Sequence, residues 1–182
     1  MQSIGFCTHF TETDEWAFAY ALHLAQLRGW QLNICHWLES PYRIRRDIVY
    51  TDFFEHQKTS VVGPKLLQEL ELKLREYYEP KLANFTNVAF KLCEGAYQVE
   101  LVRCLRQHLL DIVVMGYQKL SDEFSDEQPL ELFAAKLQYP VVIVGYNGPD
   151  TFLLNDKAAK IYKQLGLAER KWQALNELIV SR

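Results

Sequence analysis

The amino-acid sequence predicts an α/β fold, a parallel sheet with helices on both faces. Two features carry that expectation. Short apolar strands alternate with longer helical segments along most of the chain, the order that winds a parallel sheet. One strand, "DIVVMGY" from Asp111, is an unbroken apolar run, as expected where both faces of a strand are buried. The 182 residues suit one domain with a single core, and 49% of them are hydrophobic, so the chain is expected to fold rather than stay disordered.

The elements follow in order. "SIGFCTHF" reads as a short strand and "TETDEWAFAYALHLAQLRG" as a helix. Thr11 is placed to cap that helix, Glu12, Asp14 and Glu15 lie in its first turn, and Gly29 ends it. "WQLNICHWLE" is a second strand. Residues 40–63 are polar and lack a clear period, so they read as a long loop with at most a short helix. "PKLLQELELKLREYYEPKLANF" is a helix with Pro64 in its first turn and an apolar stripe of Leu67, Leu70, Leu74 and Tyr77. Glu69 with Lys73 and Glu71 with Arg75 are i,i+4 pairs, and Pro80 ends or kinks the helix. A strand "NVAFKLCEG" leads into a helix whose Val99, Val102 and Leu105 are expected to face inward. After "DIVVMGY" come an acidic loop, a short helix starting at Pro129, and a fifth strand, "YPVVIVGY". Residues 147–182 form an extension read as two helices, the second with Trp172, Leu175, Leu178 and Ile179 on one side.

Composition narrows the functional classes. The formal net charge is −3, and no basic excess points to nucleic acid or an anionic membrane. No apolar run is long enough to span a bilayer. The first residues lack the basic and apolar regions of a signal peptide, so the expected location is the cytoplasm. Cys7, Cys35, Cys93 and Cys104 show no CxxC spacing and read as reduced, mostly buried thiols. Cys7, Cys35, His9 and His36 lie on neighbouring strands, but nothing in their spacing demands a metal, and none is expected. There is no P-loop, GxGxxG or GxSxG elbow, nor the HxGH or SGGxDS-like loop that a nucleotidyl transferase or related enzyme would need after the first strand. No catalytic residue is assigned.

From Ser3 to Tyr146 the chain resembles the universal stress protein family. The resemblance rests on "IGFCTHFTETDEWAFAYALHLA", "RGWQLNICHWL", "EGAYQVELVRCLRQHLLDIVVMG" and "YPVVIV". It implies a Rossmann-like, doubly wound, five-stranded parallel sheet of order 3-2-1-4-5, with a UspA-like domain over residues 1–146. Residues 147–182 are then a helical extension packing on that domain or on a dimer partner. Ligands of such sheets sit beyond the carboxyl ends of the central strands. Some members bind ATP through a loop reading Met-Gly, two residues, Gly, nine residues, then Gly-Ser or Gly-Thr. Here Met115 and Gly116 are present, but Lys119 stands in place of the second glycine and Pro129 and Leu130 replace Gly-Ser. The family's first strand ends in an aspartate that holds the nucleoside, and the matching position is His9. Proline has no N–H to offer a phosphate. Asp122, Glu123, Asp126, Glu127 and Glu131 crowd the same loop, and Glu12, Asp14 and Glu15 flank the crevice.

The resemblance therefore implies a pocket formed by Thr8, His9, Thr11, Leu38, Met115, Gly116, Lys119, Pro129 and Leu130, with its phosphate cradle degraded. His9 reads either as a ligand contact at a strand end or as a histidine tolerated where an aspartate is no longer needed. Arg43, Arg45 and Arg46 read either as a new grip on some other anion or as a solvated loop. The expected function is a non-catalytic, stress-response regulatory module that dimerises and binds a protein or small ligand, without ATP as cofactor. The alternative is a nucleotide- or small-anion-binding module using Arg43, Arg45, Arg46 and Lys119, with ATP or another nucleotide bound. A homodimer is expected through the apolar edge "VVIVGY" and the extension, along with an unidentified protein partner and no nucleic acid or membrane insertion.

Overall fold

A computed structural model describes residues 2–38, 64–94, 97–118, 129–166 and 172–174. The loop expected over 40–63, Lys119, the acidic run 122–127 and most of the second tail helix lie outside the described residues.

The chain forms β1 (Ser3–Thr8), α1 (Glu12–Arg28), β2 (Gln31–Leu38), α2 (Pro64–Tyr78), β3 (Val88–Glu94), α3 (Tyr97–Arg106), β4 (Ile112–Gly116), α4 (Leu130–Lys136), β5 (Val141–Val144), β6 (Phe152–Leu154), α5 (Asp156–Gln164) and β7 (Trp172–Ala174). The strands join in one sheet of order β3-β2-β1-β4-β5-β6-β7. β3 through β5 run parallel, with Cys7 opposite both Cys35 on β2 and Met115 on β4. The expected five-stranded order is present, and the sheet reverses its winding between β1 and β4, where such folds place their crevice.

Period-two alternation sends side chains to two apolar layers. Ile4, Phe6, Leu32, Ile34, Ile112, Val114, Val142 and Val144 pack with α1, α2 and α5. Cys7, Cys35, Trp37, Val113, Met115, Val141 and Ile143 pack with α3 and α4. Burial on both faces explains the unbroken apolar run of β4, all five residues of which are buried. α1 starts at Thr11 and stops at Gly29, whose φ of 65° is the left-handed cap that glycine adopts without cost. α2 ends at Tyr78, and a 3₁₀ turn Glu79–Lys81 carrying Pro80 follows. Arg75 pairs with Glu71 at 2.8 Å and with Glu79 at 3.2 Å.

Four expectations need correction. In α2 the inward aromatic is Tyr78, fully buried, while Tyr77 is exposed. In α3 the buried stripe is Tyr97, Leu101 and Leu105 rather than Val99, which is 65% exposed. A spacing of four selected the helix face that packs into the cluster of Cys7, Cys35, Trp37 and Met115, and Val99 lies off that face. The extension is not wholly helical: α5 lies between two strands, and Trp172–Ala174 pairs with β6 in parallel instead of continuing a helix. The edge of β5 is also not free. β6 pairs with it antiparallel, Ile143 facing Leu153, so the chain covers its own apolar strand. Sheet pairing overrides the weak helix preference of so short a segment.

Asn155 ties the extension to the domain. It is buried at the N-cap of α5. Its Oδ1 accepts from Val141 N (3.1 Å) and Ala158 N (3.0 Å), and its Nδ2 donates to the carbonyls of Ala134 (3.1 Å) and Tyr139 (2.8 Å). One side chain thus joins the end of α4, the start of β5 and the start of α5.

Candidate functional site

The crevice beyond the carboxyl ends of β1 and β4 is built from the turn after β1, the first turn of α1 and the residues after Gly116. The turn is unusual. Phe10 has φ 61°, a left-handed backbone that costs a non-glycine residue about 1 kcal/mol or more. Surrounding contacts hold it there. Phe10 N donates to Thr8 Oγ1 at 3.1 Å, and Thr8 Oγ1 in turn meets the Tyr78 hydroxyl at 2.6 Å. The Phe10 ring packs edge-on to His36 (5.0 Å) and Tyr77 (5.4 Å) and stacks near Tyr78 (6.1 Å). An aromatic plug therefore fills the space between β1, β2 and α2.

Asp14 organises the other side. Its Oδ2 accepts from His9 N at 2.8 Å and from Thr11 N at 2.9 Å, which fixes the turn and closes the start of α1. The carboxyl is almost wholly buried. Burial raises its pKa, and the backbone donors Thr11, His9 and Gly116 pull it back down. It lies directly against Gly116. A Cβ on that glycine would stand 2.6 Å from Asp14 Oδ1, 2.8 Å from Asp14 N and 2.8 Å from the Thr13 carbonyl carbon. One residue on, Thr13 Oγ1 donates to the Tyr117 carbonyl at 2.8 Å. The first turn of α1 is thus seated on the end of β4.

The face toward α3 is filled as well. Tyr97, the first residue of α3, is fully buried, and its hydroxyl reaches Met115 Sδ at 3.5 Å and lies beside the Cys7 thiol. Desolvation, followed by the neighbouring Cys7, pushes the phenol well above its usual range. His9 meets the Tyr97 ring edge-on at 4.9 Å, and Trp37 does so at 5.0 Å. His36 is buried with Nδ1 2.9 Å from the Thr8 carbonyl. That acceptor puts the proton on Nδ1, and desolvation lowers the pKa to about 4.

Several sequence-predicted residues meet here. Thr8, His9, Thr11, Met115 and Gly116 border the crevice, but each serves the internal packing just described. Leu38 closes β2, half-buried. Pro129 is the exposed N-cap of α4, with Leu130 behind it. Lys119, Arg43, Arg45 and Arg46 lie outside the described residues. Of the three flanking acids only Asp14 faces the crevice; Glu12 is exposed, and Glu15 pairs with Lys81 at 2.8 Å. No group of His, Cys, Asp or Glu suited to a metal occurs among the described residues. Phe10, Thr13, Tyr97 and Tyr117 escaped the sequence reading. The Thr-x-x-Asp spacing signals Asp14 as a helix cap, but nothing local marks Phe10 or Tyr97 as crevice residues.

No protein-family model matches the chain, and no curated protein does. Solved structures do. The universal stress protein UspA from Lactobacillus plantarum superposes with a TM-score of 0.55 at 12% identity, over 78% of this chain and 96% of that one. A universal stress protein in complex with cAMP gives 0.53 at 17% identity, over 79% and 96%. A hypothetical protein whose biochemical function was assigned from its structure gives 0.53 at 22% identity, over 79% and 94%. The expected topology, the crevice at the β1/β4 switch point and these superpositions agree: the chain has the UspA-like fold of the universal stress proteins.

Proposed function

We propose that this protein is a non-catalytic, cytoplasmic regulatory module of universal stress type that acts without tight ATP binding. The observation that carries this reading is the seating of α1 on β4, with Asp14 against Gly116 and Thr13 bonded to the Tyr117 carbonyl. A triphosphate in this fold needs backbone N–H groups free to point at it. At this position the chain presents a buried carboxyl, and at the start of α4 it presents a proline. No helix among the described residues is long and apolar enough to cross a membrane.

The reading includes a homodimer. Since β6 occupies the edge of β5, support for self-association moves outward to β7, the last strand of the sheet. Sedimentation that finds a monomer at high micromolar concentration removes this part of the reading.

A second reading keeps a small ligand. One structural neighbour was solved with cAMP, a single-phosphate nucleotide that asks far less of a glycine loop than ATP does. Under it, Arg43, Arg45, Arg46 and Lys119 hold the phosphate. Mass spectrometry of whatever leaves the purified protein on denaturation separates the two. The regulatory reading expects no stoichiometric nucleotide, and recovery of one nucleotide per chain replaces it with the second.

A further inference from the structure

The fold gathers four cysteines that are far apart in sequence. Cys7 and Cys35 are register partners on β1 and β2, Cys93 lies opposite Trp37 on β3, and Cys104 sits on α3 above them. All four belong to one side of the sheet, packed in or against the same apolar cluster. They divide by access. Cys7 and Cys35 are fully buried, whereas Cys93 and Cys104 are only partly so, and all four are free thiols. Cys104 is the neighbouring group that acts most strongly on the Cys93 thiol, and both pack against the same apolar cluster. β3 and α3 are consecutive elements, so a Cys93–Cys104 bond would close only a short loop.

We propose that Cys93 and Cys104 are an oxidisable dithiol that closes to an intramolecular disulfide under hydrogen peroxide, stapling α3 to β3. The step balances. One sulfur takes an oxygen from the peroxide as its O–O bond breaks, giving a sulfenic acid and one water. The second sulfur then attacks it, the S–S bond forms, and a second water leaves. Two thiols and one peroxide thus become one disulfide and two waters. Burial, then the neighbouring Cys104, pushes the Cys93 thiol up to about 12, so it is protonated at neutral pH and the reaction is slow there, quickening as pH rises. The staple bears on the crevice because α3 begins with Tyr97, two helical turns before Cys104, whose ring supports His9.

The test treats the purified full chain with hydrogen peroxide, blocks remaining thiols with iodoacetamide and maps peptides by mass spectrometry. The expected product is a Cys93–Cys104 cross-link within one chain, with Cys7 and Cys35 still alkylated after denaturation. Dithiothreitol reverses it, and the oxidised protein melts roughly 5–10 °C higher, as closing a short loop predicts. Neither Cys93→Ser nor Cys104→Ser forms an intramolecular cross-link. A sulfinic acid at either cysteine without cross-linking, a Cys7–Cys35 bond, or cross-links only between chains overturns the proposal.

Discussion

Gly116 shows how one residue serves two readings. In the sequence it belongs to a Met-Gly pair that resembles a phosphate loop; in the structure it is the gap into which α1 fits. Gly116→Ala places a methyl 2.6 Å from Asp14 Oδ1 and 2.8 Å from backbone atoms of α1, which cannot swing aside as a side chain would. Overpacking of this kind costs about 2–3 kcal/mol, and chemical denaturation of the variant is expected to show that loss. A variant as stable as the parent would mean that α1 is not seated on β4. His36 gives a second measurement at this scale. Its pKa falls from 6.5 to about 4 on folding, so the folded state binds fewer protons than the unfolded one between these values. Its contribution is therefore complete above pH 6.5 and is lost as pH falls toward 4, on the order of 3 kcal/mol in all. Asp14, whose pKa is raised, works in the opposite sense and offsets part of that slope. Stability measured from pH 7 to 4 should fall more steeply in the parent than in His36→Gln. Equal slopes would show that His36 is not buried neutral.

Elements were legible where one physical signal dominated. The five central strands and the helices between them follow from apolar runs, caps and prolines, and Thr11, Gly29 and Pro80 mark boundaries where they were expected. Faces were less legible, because Tyr77 and Tyr78, or Val99 and Leu101, are equally apolar in a list of residues and differ only in which turn meets the sheet. The extension was misread because pairing between β5 and β6 is a long-range choice that no local pattern announces. Asn155 was not legible for the same reason: its bonds to Val141, Ala134 and Tyr139 become visible only once three elements converge. Asn155→Ala leaves buried donors and acceptors unpaired on all three. A loss of about 2–4 kcal/mol in denaturant unfolding is expected. A loss under about 1 kcal/mol, the ordinary effect of an exposed cap, would show that the extension does not depend on this residue.

For the whole molecule, the topology implied by the resemblance is present, and among the described residues Asp14, Thr13, Tyr97 and Phe10 make internal contacts at the crevice beyond β1 and β4. The departures from the glycine pattern that the resemblance implies were readable in the sequence; these contacts were not, since they depend on a left-handed turn at Phe10 and on residues about a hundred positions apart. Each backbone donor to a charged oxygen that is lost removes on the order of 1.5–3 kcal/mol. Two or three such losses weaken binding by a factor of roughly 10³. The most direct test is calorimetric titration of the unmodified protein with Mg-ATP. The account predicts no saturable heat below the millimolar range. Binding at low micromolar concentration would contradict it, because the first turn of α1 could not then be resting on β4 as described.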